Sequence, residues 1–410
     1  MNDDEVTEEN GDLPGFPMSR GCPYHPPPGY ARLGEQGPVA RARLYDGRVA
    51  WVVTGYAETR RLLVDRRLSS DRSRPDFPVL VPRMAATKLT ALVGMDPPEH
   101  DVQRRMLIGS FTVRRVNALR PSIRRIVDER IDAVLAKAGE QAVDLVPEFA
   151  LPVPSTVICE LLGVPYEDHE FFEEQTRRML QATGTAEQAA GASAALVGYF
   201  DELVGAKLAG TDRRHRQDGL LDELVEDRVR GGELSRADLS AIAMFLLVAG
   251  HETTANMIGL SILTLLEHPA ESARLRAEPA LLPGAVEELL RFLSVADELQ
   301  RVAAADIEVG GVVIREGDAV YLPNAAANRS ADAFPDPDTL DVGRSARQHL
   351  AFGYGVHQCI GQNLARAELE IALGRLLTRI PTLRLAEPVE RLGTKPGGSV
   401  QGILRLPVTW

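Results

Sequence analysis

The chain has 410 residues and a formal net charge of −12, from 46 lysines and arginines against 58 aspartates and glutamates. That balance argues against broad nucleic-acid binding. Three cysteines, Cys22, Cys159 and Cys359, are too few and too scattered for a disulfide framework.

Residues 1–10 are acidic and polar with no apolar core, neither a secretory signal nor a membrane anchor, so a cytoplasmic protein with a loose tail over 1–15 is expected. Strand-like pieces follow at 39–44 and 50–54, joined by an Asp46-Gly47 turn. A Pro97-Pro98 stop then opens a helix that puts His100 and Arg104 on one face, four residues apart. Residues 122–135 repeat apolar side chains at helical intervals. Residues 241–266 are apolar nearly all round, but His251, Glu252, Thr253 and Thr254 interrupt them, so a buried central helix is expected rather than a membrane span. Further short strands are expected at 307–309, 312–314 and 319–322, the first two turned by Gly310-Gly311. No linker, repeat or low-complexity block divides the chain, although 410 residues would by default suggest two domains. The reading is one domain over 16–410, mainly α with a small antiparallel β region.

Cys359 is the most informative residue. It lies in Phe352-x-x-Gly355-x-x-x-Cys359-x-Gly361, directly before a helical pattern from Asn363. Backbone N–H groups at a helix N-terminus can stabilise a thiolate. Gly355 and Gly361 let the chain turn tightly and approach a flat partner. Phe352 would cover one side of the sulfur. The chemistry is that of a soft, single-thiolate metal ligand on a glycine-rich loop; the bland reading is one more buried cysteine.

This loop resembles the haem-binding loop of the cytochrome P450 family, whose cysteine is the axial iron ligand. Gly353, between Phe352 and Gly355, belongs to the same loop. Ala249-Gly250-His251-Glu252-Thr253-Thr254 resembles the family's oxygen-activation motif. By that resemblance Thr253 meets dioxygen and Glu252 relays protons through water, with Ala249 and Gly250 leaving room. Glu288 and Arg291 stand where the family has a buried Glu-x-x-Arg pair, completed by Arg329 or by Arg344. His100, Arg104, Arg301 and His357 stand where the family meets the haem propionates. The cofactor implied is haem b.

The resemblance implies insertion of one oxygen atom from O2 into a C–H bond, or into an alkene as an epoxide. Gly353-x-Gly355 is no dinucleotide fingerprint, so electrons are expected from a separate ferredoxin and its reductase, drawing on NAD(P)H. Arg104, Arg105, Arg114, Arg115, Arg344, Arg347 and Arg366 form either a docking patch for that acidic donor or an ordinary solvated face. A monomer is expected, with neither nucleic acid nor membrane as partner.

Phe245, Val295, Ala296, Val400 and Met84 would line an apolar substrate pocket. Arg72, Arg74, Arg83 and Arg178 either meet a polar group of the substrate or lie on surface loops. Residues 16–24 and 71–78 resemble an actinobacterial subgroup acting on macrolides, steroids, secosteroids and xenobiotics. A macrolide or polyketide of secondary metabolism is the expected substrate. The alternatives are steroid or xenobiotic oxidation, oxidative coupling or rearrangement, and a non-catalytic haem sensor.

Overall fold

The computed structural model describes residues 13–81, 90–139, 142–180, 184–212, 219–297, 299–395 and 400–410. The expected loose tail therefore lies mostly outside the described residues. Its end does not, and it is already folded: Arg43 N–H donates to Pro14 O at 2.9 Å, and Gly15 bridges to Arg43.

The centre is the helix Arg236–Glu267, started by Ser235, whose hydroxyl accepts from Asp238 N–H at 3.0 Å. Apolar on all sides, it needs protein on all sides. The helices Pro152–Leu162, Ala186–Leu208 and Gln362–Arg379 supply it. The buried apolar residues of these helices form one continuous core. The helix is long and apolar enough to cross a membrane, yet its side chains are used inside the protein.

The helix expected over 122–135 begins earlier and runs Val113–Leu135. Thr112 caps it by accepting from Arg115 N–H, and Val116 already belongs to its buried stripe. Pro121 sits inside and removes one backbone donor. That breaker obscures the first two turns in the sequence.

The β region is smaller in its pieces and less uniform than expected. Strands β1 (Val39–Arg43), β2 (Val49–Val53), β3 (Leu68–Ser69), β4 (Val143–Asp144), β5 (Leu299–Ala303), β6 (Ile307–Val309), β7 (Val312–Ile314), β8 (Ala319–Leu322), β9 (Arg384–Leu385) and β10 (Pro407–Thr409) form three sheets. The largest has the order β1-β2-β8-β5-β3. Its β2–β8 pair is parallel, with Ala50 opposite Ala319, which corrects the expectation of a purely antiparallel region. Both expected hairpins form. Gly47 at φ +84°, and Gly310 and Gly311 at +58° and +82°, take up the left-handed turns. This sheet positions two basic residues: β5 carries Arg301, and β3, paired to β5 through Ser69 and Val302, leads into Arg72.

Candidate haem-thiolate site

Cys359 is held by its backbone. Its N–H donates to Phe352 O at 2.9 Å, and Gln358 N–H donates to Gly355 O at 3.1 Å. Gly355 sits at φ +74°, and a Cβ there would stand 2.5 Å from Leu63 O, so only glycine fits. A Cβ on Gly361 would stand 4.0 Å from the sulfur. The N–H groups of Gly361 and Gln362 serve that sulfur at the start of the helix Gln362–Arg379.

The sulfur is deep within the protein yet retains accessible surface, so it faces an internal hollow. The central helix opens in the same way. Between Ile242 and Leu265 only Ala249, Gly250 and Thr253 keep partial exposure, and they share one side of the helix. Burial pushes the Cys359 thiol up, against the two N–H groups and the guanidinium groups of Arg104 and Arg366. A bound metal cation would favour the thiolate here against that burial. Among the described residues no set of three or more His, Cys, Asp or Glu could hold a metal. Cys359 thus fits one ligand position of a metal whose other ligands come from elsewhere, as in haem.

The four expected basic residues converge. The His100 and His357 rings lie 4.2 Å apart. Burial, then the charges of Arg301, His100 and Arg104, push His357 down to about 3. His357 Nδ1 is buried without a partner. Arg301 is 9% exposed, and its guanidinium donates to Gln300 O at 2.7 Å, with no carboxylate partner among the described residues. His100 Nδ1 meets the Asp101 carboxylate at 3.0 Å, so the charge that calls for a further anion is that of buried Arg301 and half-buried Arg104. Two haem carboxylates fit that requirement.

Thr253 and Glu252 do not face the same way. Thr253 Oγ1 donates to Ala249 O at 2.7 Å. Glu252, 8% exposed, turns instead to Lys395 Nζ at 2.5 Å and Asn256 Nδ2 at 2.9 Å. The two oxygens therefore do not project into one space beside Gly250, because consecutive helix positions point about 100° apart. Nor does Gly250 only leave room, since a Cβ there would stand 3.0 Å from Ile158 Cδ1. His251 is fully buried, and burial lowers it to about 4, so its ring is neutral.

Glu288 and Arg291 form the expected pair, both fully buried, with Nε to Oε2 at 2.7 Å and Nη2 to Oε1 at 2.8 Å. Arg344 completes it, donating to Glu288 Oε1 at 3.1 Å, whereas Arg329 pairs with Asp338. A second network went unread in the sequence: Arg366 Nε and His349 Nε2 both meet Glu287, at 2.5 and 3.1 Å. Arg366 also lies over the Phe352 ring at 4.6 Å, tying that network to the cysteine loop. Arg344 and Arg366 are therefore internal braces and leave the proposed docking patch. Arg105, Arg114, Arg115 and Arg347 remain exposed.

Of the substrate candidates, Phe245 shares a column with Ala249 and Thr253 on the central helix. Ala296 bridges to Val400, and Gln401 N–H donates to Val295 O at 2.9 Å, bringing those three residues together. Met84 and Arg83 lie outside the described residues. Arg178 is exposed and pairs with Glu174, and Arg74 pairs with Asp76. Arg72 is no surface residue: it is enclosed beside Arg301.

Comparison with known proteins agrees with this geometry. The Cytochrome P450 family profile matches residues 33–382. Pentalenic acid synthase of Streptomyces avermitilis is 55% identical over 397 residues, 96% of this chain and 97% of that protein. Vitamin D3 dihydroxylase of Streptomyces griseolus is 52% identical over 414 residues, spanning 100% of both. The crystal structure of the mycinamicin VIII C21 methyl hydroxylase of Micromonospora griseorubida, bound to mycinamicin VIII, superposes with a TM-score of 0.91 at 42% identity. It covers 97% of this chain and 100% of that one.

Proposed function

The chain belongs to the cytochrome P450 family and is a haem-thiolate monooxygenase, and from that premise we propose that it oxidises a bulky, mostly apolar natural product of macrolide or polyketide type. The observation that carries the reaction class is the exposed Cys359 on its glycine loop, with His100, His357, Arg104 and the buried Arg301 gathered beside it. The substrate class rests on the apolar Phe245, Ala249, Val295, Ala296 and Val400, and on the likeness to a macrolide hydroxylase.

Haem held by Cys359 supplies activation of O2 and transfer of one oxygen atom. The protein binds, orients and delivers protons. His100, Arg104, Arg301 and His357 would hold the haem carboxylates. Phe352 and the Arg366 guanidinium stacked on it cover the sulfur side. Thr253 Oγ1, already bonded to Ala249 O, presents a hydroxyl on the open side of the helix. Glu252 accepts both of its side-chain bonds on Oε1, which leaves Oε2 to take a proton from water. The apolar residues orient the substrate and exclude bulk water.

Electrons arrive from an acidic ferredoxin, reduced in turn by its reductase. Arg105, Arg114, Arg115 and Arg347 form its docking surface. Asn363 Nδ2 donates to Phe111 O at 3.2 Å, which places that stretch beside the cysteine loop. Such donors place the enzyme in the cytoplasm.

The test is a titration of the oxidised enzyme with macrolide lactones and with secosteroids, followed in the haem absorption, then turnover under labelled O2. A macrolide that shifts the band and gains one labelled oxygen atom supports the assignment. A response to secosteroids alone would overturn the macrolide reading while leaving the monooxygenase in place.

A further inference from the structure

Arg72 was expected either at a substrate's polar group or on a surface loop, and the structure places it deeper than that. Its backbone N–H donates to Gly94 O at 3.0 Å, just past strand β3. The side chain is enclosed by protein but keeps partial surface, the same combination that marks Cys359 as facing the hollow. Its Nε is buried with no hydrogen-bond partner. Strand pairing sets Ser69 opposite Val302, so Arg72, three residues past Ser69, follows β3 toward the half of β5 that carries Arg301. Burial and then the charge of Arg72 bring Arg301 down to about 10, which reflects that proximity.

Two guanidinium groups thus come from adjoining segments of one sheet, Arg301 buried and Arg72 partly so with its Nε enclosed. The acidic group near them is Asp96, and it is already taken, accepting from Ser69 Oγ at 2.5 Å and Ser70 N–H at 2.7 Å. Among the described residues no carboxylate pairs with either guanidinium. Buried arginines without a counter-ion are costly, and paired donors suit a carboxylate. The geometry points to Arg72, together with Arg301, as a seat for a carboxylate within the hollow. Arg72 would be a fifth basic contact beyond the four expected ones. That carboxylate belongs either to the haem or to the bound substrate. The assignment rests on the chain being a haem protein, so the test checks that first.

The experiment compares holoenzyme with its Arg72→Gln, Arg72→Lys and Arg74→Gln forms. Each must first show the thiolate-type spectrum of the reduced carbon monoxide complex; loss of it in the parent enzyme would sink the haem reading, not this one. Haem transfer to excess apomyoglobin is then timed. Binding of a long-chain fatty acid and of its methyl ester is measured from the haem absorption. If the seat holds a haem carboxylate, Arg72→Gln speeds transfer roughly tenfold. If it holds a ligand carboxylate, transfer is unchanged and preference for the acid over the ester falls roughly tenfold. Arg72→Lys recovers part of either effect, and Arg74→Gln, already paired with Asp76 at 2.7 Å, shows neither. No change in both readouts, or equal changes in Arg74→Gln, overturns the assignment.

Discussion

Lys395 holds the carboxylate of Glu252 at 2.5 Å, and Asn256 donates to the same oxygen at 2.9 Å. Lys395 comes from the far end of the chain, where its N–H donates to Gly402 O at 2.9 Å. Gly402 in turn lies so close to Asn256 that a Cβ would collide with its amide. The C-terminal segment and the central helix are therefore locked together at the acid proposed to relay protons.

Burial alone would raise Glu252. The Lys395 charge and the two hydrogen bonds outweigh it and hold the carboxyl below its ordinary range. Replacing Lys395 with Gln leaves burial less opposed, so more of Glu252 is protonated at neutral pH. The expected outcome is a several-fold shift of electrons from product to peroxide, with Lys395→Arg recovering most of the coupling. Peroxide formed per NAD(P)H consumed is the measurement. General acid–base groups contribute about 10²-fold or more, so Glu252→Gln should slow turnover by about that factor.

Thr253→Ala removes the one hydroxyl on the open strip of the central helix. Consumption of O2 should continue while product falls and peroxide rises. Unchanged coupling would remove Thr253 from the proton path.

Glu287 offers a pH test of the brace behind the cysteine loop. Burial raises it, but His349 and Arg366 prevail and hold it at about 2, against an ordinary 4.5. Because the folded value is depressed, this group stabilises the fold fully above pH 4.5, and the contribution is lost as pH falls from 4.5 toward 2. The shift corresponds to about 3 kcal/mol as an order of magnitude. Glu287→Gln should therefore lower stability at neutral pH and flatten the acid dependence in that window. Denaturant unfolding at a series of pH values measures both.

Gly355→Ala combines a φ of +74° with a Cβ 2.5 Å from Leu63 O. The loop cannot seat with that methyl in place. The variant should fold with its helical content intact and lose most of its haem, read as the absorbance ratio of haem to protein.

Much of the site was legible because its residues lie in short local patterns. The cysteine loop, Glu288 with Arg291, and Ala249 through Thr253 each occupy one turn or loop, where spacing determines geometry. Glu287 with Arg366 and Glu252 with Lys395 were hidden because their partners are 79 and 143 residues apart. A run of two glutamates on one helix was a signal for the first; nothing local marked Lys395. Arg72 was ambiguous because charge alone suggests a surface, and only the tertiary placement of the segment after β3 encloses its Nε. In the fold, the central helix, most of Val113–Leu135 and two hairpins were readable from periodicity and glycine turns, whereas Ala186–Leu208 was not. The two-residue strands β3, β4 and β9 carry no period, and the parallel β2–β8 pair is set by distant chain segments.

The most direct test of the account is the absorption spectrum of the purified enzyme, reduced with dithionite under carbon monoxide, alongside Cys359→Ala. The parent should show the strongly red-shifted Soret band of a thiolate-bound haem, and the variant should lose it. A folded, haem-loaded parent with the spectrum of a neutral ligand, or a variant that keeps the thiolate band, would contradict it.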